Sequence, residues 1–254
     1  MRNTSLKSKL KNEKLSIGSW ITLGDNSVAE IMARSGFDWL AVDMEHSAIT
    51  LDKCQDLVRV IELSSVVPLV RVGENNPNLI KRVMDTGAHG VIVPMINTKN
   101  DAQKAVNAVK YPPHGKRGVG LTRAQGYGLE FEKYRDWVNE ESIVIVQIEH
   151  IDAVNNLEDI LSVSGVDGFI IGPYDLSASL GIPGKFEHKQ VQEAFKRVLQ
   201  ISRKLKKSAG FHVISADANE VLKKIEDGYN FIGFSIDMIF LGSKCRQDLQ
   251  RIKL

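Results

Sequence analysis

The stretch WLAVDMEHSAI, residues 39–49, begins as a continuous apolar run and ends in three titratable side chains, Asp43, Glu45 and His46. A nearly continuous apolar run is typical of a strand buried on both faces of a parallel sheet. Similar runs recur along the chain, and the predicted strands lie at 17–23, 39–44, 67–72, 90–95, 142–149, 166–173, 209–214 and 231–237. Helix-like segments alternate with them, at 27–35, 52–63, 77–86, 99–109, 151–161, 188–207, 217–227 and 238–254.

This alternation predicts the fold class, because strands that alternate with helices form a parallel sheet. Eight such units in 254 residues match an α/β fold of the (β/α)8 TIM-barrel type better than an open doubly wound sheet. No linker is apparent, so we expect one domain over 1–254, with a basic lead-in at 1–14 and a final helix at 238–254. The longest irregular piece, 111–130, is rich in Gly and Arg, and loops of that length are usually functional.

Composition excludes several classes of protein. Lys and Arg number 33 against 31 Asp and Glu, which gives a net charge of +2 and favours neither a nucleic-acid nor a membrane partner. No apolar run reaches the ~18–20 residues of a membrane span. Only two cysteines occur, Cys54 and Cys245, so a disulfide scaffold is not expected and a reducing cytoplasm is the predicted location.

Polar side chains collect at the carboxyl ends of the predicted strands, where the active site of a TIM barrel lies. The amino-terminal ends of the same strands are comparatively apolar. We therefore expect the functional site at the carboxyl rim, which carries Trp20, Asp43, Glu45, His46, Arg71, Gln147, Glu149, Asp175, His212, Ser235 and Asp237.

Glu149 and Asp175 are the candidate metal ligands, because they follow adjacent predicted strands and their carboxylates can converge. Two carboxylates with open positions suit Mg²⁺ or Mn²⁺, which retain water and accept substrate oxygens. The alternative is a pair of rim acids that form salt bridges to Arg or Lys. Spacing alone leaves both interpretations open.

His46, Asp85 and Arg71 are the candidate catalytic residues. An imidazole titrates near ~6.5, which suits a general base, although a lone rim histidine is often only hydrogen-bonded to backbone. Asp85 could orient it, or be a surface carboxylate at a helix end. Arg71 offers a planar fork to a carboxylate, or could simply pair with Glu45 or Glu149.

Two further features bear on the chemistry. The sequence IGPYDLS, 171–177, turns from strand into helix and could place backbone N–H groups around a small anion. No lysine lies within the fifth to eighth predicted strands, which argues against a Schiff base and leaves metal-stabilised enolate chemistry. His212 is interpreted as a packed histidine.

Six motifs follow one another in an order and spacing that resemble the HpcH/HpaI aldolase family: GFDWLAVDMEH, PLVRV, GVIVPM, YPPHGKRGVG, VQIE and VDGFIIGPYDLSASLG. The chain is similar to the branch of class II 2-oxo-acid aldolases that includes 4-hydroxy-2-oxoheptane-1,7-dioate aldolase and 2-dehydro-3-deoxyglucarate aldolase. The resemblance runs from about residue 15 to the carboxyl terminus.

The resemblance implies a metal-dependent aldolase that forms or consumes a pyruvate enolate and uses a 2-oxo acid and an aldehyde as substrates. Mg²⁺ or Mn²⁺ is the expected cofactor, with Co²⁺ as a further candidate, bound by Glu149 and Asp175. His46 matches the base, Asp85 the carboxylate that pairs with it, and Arg71 the residue that holds the pyruvyl oxygen. The other positions that the resemblance assigns to substrate binding are Trp20, Asp43, Arg123, Gln147, Gly172, Pro173 and Tyr174.

The same resemblance implies a homo-oligomer, a hexamer built as a trimer of dimers, with the last helix packed on a neighbouring barrel. Two departures bear on the aldehyde: Tyr174 stands where a small residue is usual, and GKFEHKQ lacks the usual His-Pro pair. The alternative functions are Claisen-type enolate chemistry, citrate-synthase-like or acyl-CoA lyase, and a non-catalytic barrel that binds 2-oxo acids.

Overall fold

A computed structural model describes residues 5–253 and contains a closed barrel of eight parallel strands. Each strand pairs with its neighbour in chain order, and β1 closes the barrel on β8. The predicted (β/α)8 fold is therefore confirmed. The strands are β1 Ser16–Ile21, β2 Trp39–Asp43, β3 Val67–Arg71, β4 Gly90–Val93, β5 Ile143–Ile148, β6 Gly168–Ile171, β7 Ser208–Val213 and β8 Phe231–Ile236.

Twelve α-helices occur in the described residues, and most of them lie outside the barrel between consecutive strands. They are α1 Ser5–Lys11, α2 Asn26–Ala33, α3 Leu51–Leu63, α4 Pro77–Asp85, α5 Lys99–Val109, α6 Phe131–Glu140, α7 Ile151–Asn155, α8 Leu157–Leu161, α9 Pro173–Ser179, α10 Lys189–Leu205, α11 Ala218–Asp227 and α12 Asp237–Ile252. The helix predicted at 151–161 is thus two short helices. The sequence analysis did not predict α1 or α6, whereas α9 begins at the strand-to-helix turn predicted at 171–177. The segment Arg123–Gly128 forms 3₁₀ turns on either side of a kink, at which Gly126 and Tyr127 have positive φ.

Local sequence explains where the outer helices begin and end. The Asn76 side chain accepts hydrogen bonds from the first turn of α4, and Pro77 occupies its first position, where no backbone donor is needed. Thr98 and Asp101 form a reciprocal capping box on α5. Gly228 ends α11 in a left-handed conformation (φ 110°) that glycine adopts without steric cost.

Large apolar side chains fill the amino-terminal part of the barrel lumen. Trp39 stacks on Phe231 with ring centroids 4.5 Å apart, and Gly18 lacks a side chain where the Trp39 indole lies. Leu6 and Leu10 of α1 are buried in the same apolar cluster, so α1 closes the amino-terminal end of the barrel. The open end is consequently the carboxyl rim.

Two segments each carry four exposed apolar side chains. In α12 only Asp237 is buried, and Met238, Leu241, Leu249 and Ile252 are exposed. The 111–130 segment exposes Val119, Leu121, Tyr127 and Leu129. Among residues 5–253, none of the helices combines the length and the apolar character that crossing a membrane requires.

Candidate active site

Arg71 at the end of β3 is held in one orientation by Asp43 at the end of β2. Its Nε and one terminal nitrogen donate to the two Asp43 oxygens at 2.9 and 2.6 Å, a bidentate geometry that aligns the guanidinium plane. Burial alone raises the Asp43 pKa, but the hydrogen bonds and charge of Arg71 outweigh that effect, and the pKa is lowered. The guanidinium carbon also lies 4.5 Å above the Trp20 ring.

Glu45 and His46 follow β2 on the same rim. Glu45 Oε2 lies 3.3 Å from Arg71 Nε, yet it has no hydrogen-bond partner among the described residues. Burial raises the Glu45 pKa to about 7, and the nearby Glu149, Asp43 and Asp175 carboxylates act in the same direction against Arg71. His46 Nε2 lies 3.7 Å from Glu45 Oε2, and its side chain is 65% exposed, so it faces the open mouth.

Glu149, just past β5, is buried and oriented by two donors. Its Oε1 accepts from the Met95 backbone at 2.7 Å, and its Oε2 accepts from the Gln147 side chain at 2.5 Å. Burial raises the Glu149 pKa, and the charge of Asp175 contributes in the same direction. The residue Met95 was missed by the sequence analysis, because it acts through its backbone in a left-handed conformation (φ 52°) that no side-chain motif signals.

Gly172 leaves the space in which Glu149 and Asp175 approach each other. A Cβ on Gly172 would lie 3.2 Å from Glu149 Oε2 and 3.8 Å from Asp175 Oδ2. The two oxygens therefore flank one small volume, as predicted from the adjacency of β5 and β6. Pro173 and Asp175 occupy the first turn of α9, which continues directly from that point.

Tyr174 turns away from this volume. It is half exposed and packs edge-on against Phe186, with ring centroids 4.9 Å apart. The two rings line the outer part of a cavity of about 560 Å³, which also reaches Pro173 and His212. Tyr174 thus lies beside the site and borders a neighbouring chamber.

Asp85 and Arg123 are not brought to His46 within one chain. Asp85 ends α4, five residues before β4 begins, so it lies near the amino-terminal end of the barrel, whereas His46 follows β2 at the carboxyl end. Asp85 Oδ1 accepts from Arg117 at 2.5 Å. Arg123 pairs with Glu62 and donates to the Thr86 carbonyl at 2.9 Å.

The sequence profile of the HpcH/HpaI aldolase/citrate lyase family matches residues 16–242. The 2-keto-3-deoxy-L-rhamnonate aldolase of Escherichia coli O17:K52:H18 (strain UMN026 / ExPEC) is 35% identical over 97% of this chain and 92% of its own. A solved structure of an HpcH/HpaI aldolase/citrate lyase family protein from Burkholderia cenocepacia J2315 superposes with a TM-score of 0.94 at 35% identity, over 99% of this chain and 100% of the other.

A second similar structure is the citrate synthase SbnG, with a TM-score of 0.87 and 27% identity over 98% of both chains. The profile match, the identities and the coverage apply to nearly the whole barrel, including β2, β3, β5 and β6, which carry the candidate site. The chain belongs to the HpcH/HpaI aldolase/citrate lyase family.

Proposed function

We propose that this protein is a divalent-metal-dependent aldolase that cleaves or forms 4-hydroxy-2-oxo acids through a pyruvate enolate, with pyruvate and an aldehyde as the other reaction partners. The observation that carries this proposal is the convergence of Glu149 and Asp175 at the space beside Gly172, on the same rim as the preoriented Arg71. A carboxylate pair and a fixed cation are what enolate stabilisation requires.

The residues present fit a hard divalent cation. Glu149 and Asp175 offer only oxygen donors, and the missing side chain at Gly172 keeps the space between them open. Burial and the charge of neighbouring carboxylates raise the pKa of Glu45 and of Glu149, and a cation would offset that repulsion. Residues 5–253 hold no cluster of three metal-ligating side chains, so water and substrate would complete the coordination, as Mg²⁺ and Mn²⁺ allow.

When bound, the metal ion supplies a Lewis acid for the charge that develops on the keto oxygen. Arg71 donates to the same oxygen, and because Asp43 already holds its guanidinium, little reorganisation is needed as charge develops. His46 removes the proton of the C4 hydroxyl group in the cleavage direction. Trp20 supports the underside of Arg71 and keeps water from that face.

We also propose that the site is completed by a second copy of the chain. Asp85 can pair with His46 only across a subunit boundary, because the two lie at opposite ends of one barrel. The exposed apolar side chains of the 111–130 segment, which include Leu121 and Leu129, give the amino-terminal end of the barrel a surface that another copy can bury. The exposed face of α12 is the second such surface, which a hexamer built as a trimer of dimers would bury. Light scattering in solution tests this assembly.

The substrate class proposed for the first test is 2-keto-3-deoxy sugar acids, because a similar protein is a 2-keto-3-deoxy-L-rhamnonate aldolase. Pyruvate release is measured over 4-hydroxy-2-oxo acids of differing length and charge, with Mg²⁺, Mn²⁺ or Co²⁺ and with EDTA. We expect cleavage that EDTA abolishes and that added metal restores. Full activity in EDTA would reject the metal-dependent route.

Glu149→Gln is the matched test of the metal ligand. We expect it to lose Mn²⁺ binding in calorimetry, together with activity, because an amide is a neutral and weaker ligand. The control is Glu132→Gln, on the exposed face of α6, which should retain both. Equal Mn²⁺ affinity in the two variants would place the cation elsewhere.

A Claisen-type reaction is the second candidate, favoured by the similarity to the citrate synthase SbnG over nearly the whole chain. Incubation with oxaloacetate and acetyl-CoA, in parallel with pyruvate and aldehydes, separates the two reactions. A non-catalytic binding protein is distinguished by proton exchange, since it would bind pyruvate and metal without exchanging the methyl protons of pyruvate in D₂O. The proposed location is a reducing cytoplasm, in which Cys54 and Cys245 are free thiols.

A further inference from the structure

Two buried polar atoms at the inner wall of the site have no hydrogen-bond partner in the described part of the chain. They are Nε1 of Trp20 on β1 and Nε2 of His212 on β7. The two rings are adjacent, with centroids 5.1 Å apart. Buried polar groups normally have a hydrogen-bond partner, so the two nitrogens indicate that a partner is missing and that their rings do more than pack. The proposed aldolase mechanism leaves both atoms unused.

The chemical character of each atom can be assigned. An indole nitrogen is a donor only. Burial lowers the His212 pKa to about 3, and the charge of Arg71 acts in the same direction, so the imidazole is neutral at physiological pH. The ring bonds to the Ser235 backbone, and because Nε2 is the nitrogen without a partner, Nδ1 makes that bond and carries the proton. Nε2 is consequently an acceptor.

Gly233 on β8 lies beside both rings. A Cβ there would lie 3.0 Å from Trp20 Nε1 and 3.5 Å from His212 Cδ2, the carbon bonded to Nε2, with Ile170 Cδ1 at 3.6 Å as the apolar wall. A side chain at this position would crowd Trp20 Nε1 and the edge of the His212 ring next to Nε2. Glycine at this position therefore keeps side-chain atoms away from the two unpaired nitrogens.

Only a group that accepts one hydrogen bond and donates another satisfies both atoms. A carboxylate or keto oxygen would accept from Trp20 but repel the lone pair of His212, and an ammonium group would do the reverse. A hydroxyl group matches both. We propose that Trp20 Nε1 and His212 Nε2 form a subsite that recognises a hydroxyl group of the 2-oxo acid substrate.

The position of this subsite relates it to the proposed reaction, on which the inference rests. Arg71, the proposed ligand of the keto oxygen, lies over the face of the Trp20 ring, and Nε1 of the same ring forms part of the subsite. The cation above the ring also strengthens the N–H donor by drawing electron density from the indole. The hydroxyl group is therefore carried either by C3 of the pyruvyl unit or by the aldehyde-derived part of the substrate. The aldehyde-derived part borders the chamber lined by His212 and Pro173.

Two substrate pairs, each differing by one hydroxyl group, distinguish these sources. For the first pair, the binding of pyruvate and of 3-hydroxypyruvate is measured by calorimetry in the presence of Mn²⁺. For the second pair, the cleavage of a 2-keto-3-deoxy sugar acid is compared with the cleavage of its analogue that lacks one further hydroxyl group. His212→Leu removes the acceptor, and His212→Gln restores an amide acceptor near the position of Nε2. Gln200→Leu, at an exposed position of α10, is the control for the loss of a polar side chain.

We expect His212→Leu to weaken binding or kcat/KM for the hydroxylated member of one pair by about tenfold or more, and to leave the other member unchanged. His212→Gln should recover part of that discrimination. The pair that responds identifies which carbon carries the hydroxyl group.

An equal loss on both members of each pair would mean that the atoms hold only a structural water, and it would overturn the proposal. No effect on any member would overturn it as well. Failure of the proposed function is distinct, because the unsubstituted protein would then release no pyruvate from any member of the series.

Discussion

Asp85 and His46 are expected to act together across two subunits, and this can be tested by combining two inactive variants. His46→Ala removes the base, and Asp85→Asn removes the charge of its partner while leaving one oxygen for Arg117, which donates to Asp85 at 2.5 Å. Each homo-oligomer alone should be crippled, with a loss of about 10²–10⁴-fold in rate for the base variant. The two chains are then co-expressed at equal levels.

The expected recovery follows from where the residues lie. If each site takes His46 from one copy and Asp85 from another, random mixing gives about one quarter of the sites with both residues intact. If Asp85→Asn alone retained as much as a tenth of the rate of the unsubstituted protein, an equal mixture of homo-oligomers that shared no sites would show only about one twentieth of that rate. Steady-state pyruvate release therefore separates the two cases.

Two controls make the test decisive. Co-expression of His46→Ala with the double variant His46→Ala/Asp85→Asn provides no intact pair and should show no recovery. Melting temperatures confirm that each variant assembles. Activity that stays at the mean of the two homo-oligomers would refute the reasoning, because it would mean that Asp85 serves no neighbouring site.

The remaining predictions concern Arg71, helix α1 and Gly172. Arg71→Lys should lose about 10²–10³-fold in kcat, because an ammonium group cannot match the bidentate contact of the guanidinium group. Circular dichroism should show an intact fold, and a near-normal kcat would contradict the role assigned to Arg71. Leu6→Ala should lower the free energy of unfolding by about 2–5 kcal/mol in urea titrations, whereas Leu63→Ala at an exposed position should change it little; equal effects would mean that α1 does not plug the barrel. Gly172→Ala should weaken Mn²⁺ binding, measured by calorimetry, since its Cβ would lie 3.2 Å from Glu149 Oε2, and an unchanged affinity would argue against a cation there.

The strands were predictable because their apolar runs are short, nearly continuous and separated by helix-like segments. The helix α1 was hidden by composition: its lysines suggested a solvated lead-in, although Leu6 and Leu10 share one helix face and fill the barrel end. The helix α6 lies beyond the irregular 111–130 segment and was not assigned, although Tyr134 and Val138 bury one of its faces.

For the site, residue types at strand ends were enough to place Glu149, Asp175 and Arg71 on one rim. The sequence analysis offered Glu45 or Glu149 as partners of Arg71, and Glu45 does lie 3.3 Å from Arg71 Nε. The bidentate partner is Asp43, which was not offered and which lies directly opposite Arg71 in the β2–β3 register. No linear pattern reveals which copy of the chain supplies a residue, so the pairing expected of Asp85 could not be assigned to a subunit from sequence.

The role of His212 illustrates a different limit. From its position on β7 it was interpreted as a packed histidine, which is the usual state of such a residue. Only the three-dimensional contacts show that Nε2 lacks a partner in the described residues and that it lies next to the unpaired Trp20 nitrogen, with glycine at 233 beside both rings.

The most direct measurement is a diffraction experiment on crystals soaked with Mn²⁺ and pyruvate, with data collected near the manganese absorption edge. The account predicts one anomalous peak between the side-chain oxygens of residues 149 and 175, with the pyruvate keto oxygen turned towards the guanidinium of residue 71. A peak elsewhere, or ordered pyruvate with no manganese beside it, would contradict the account.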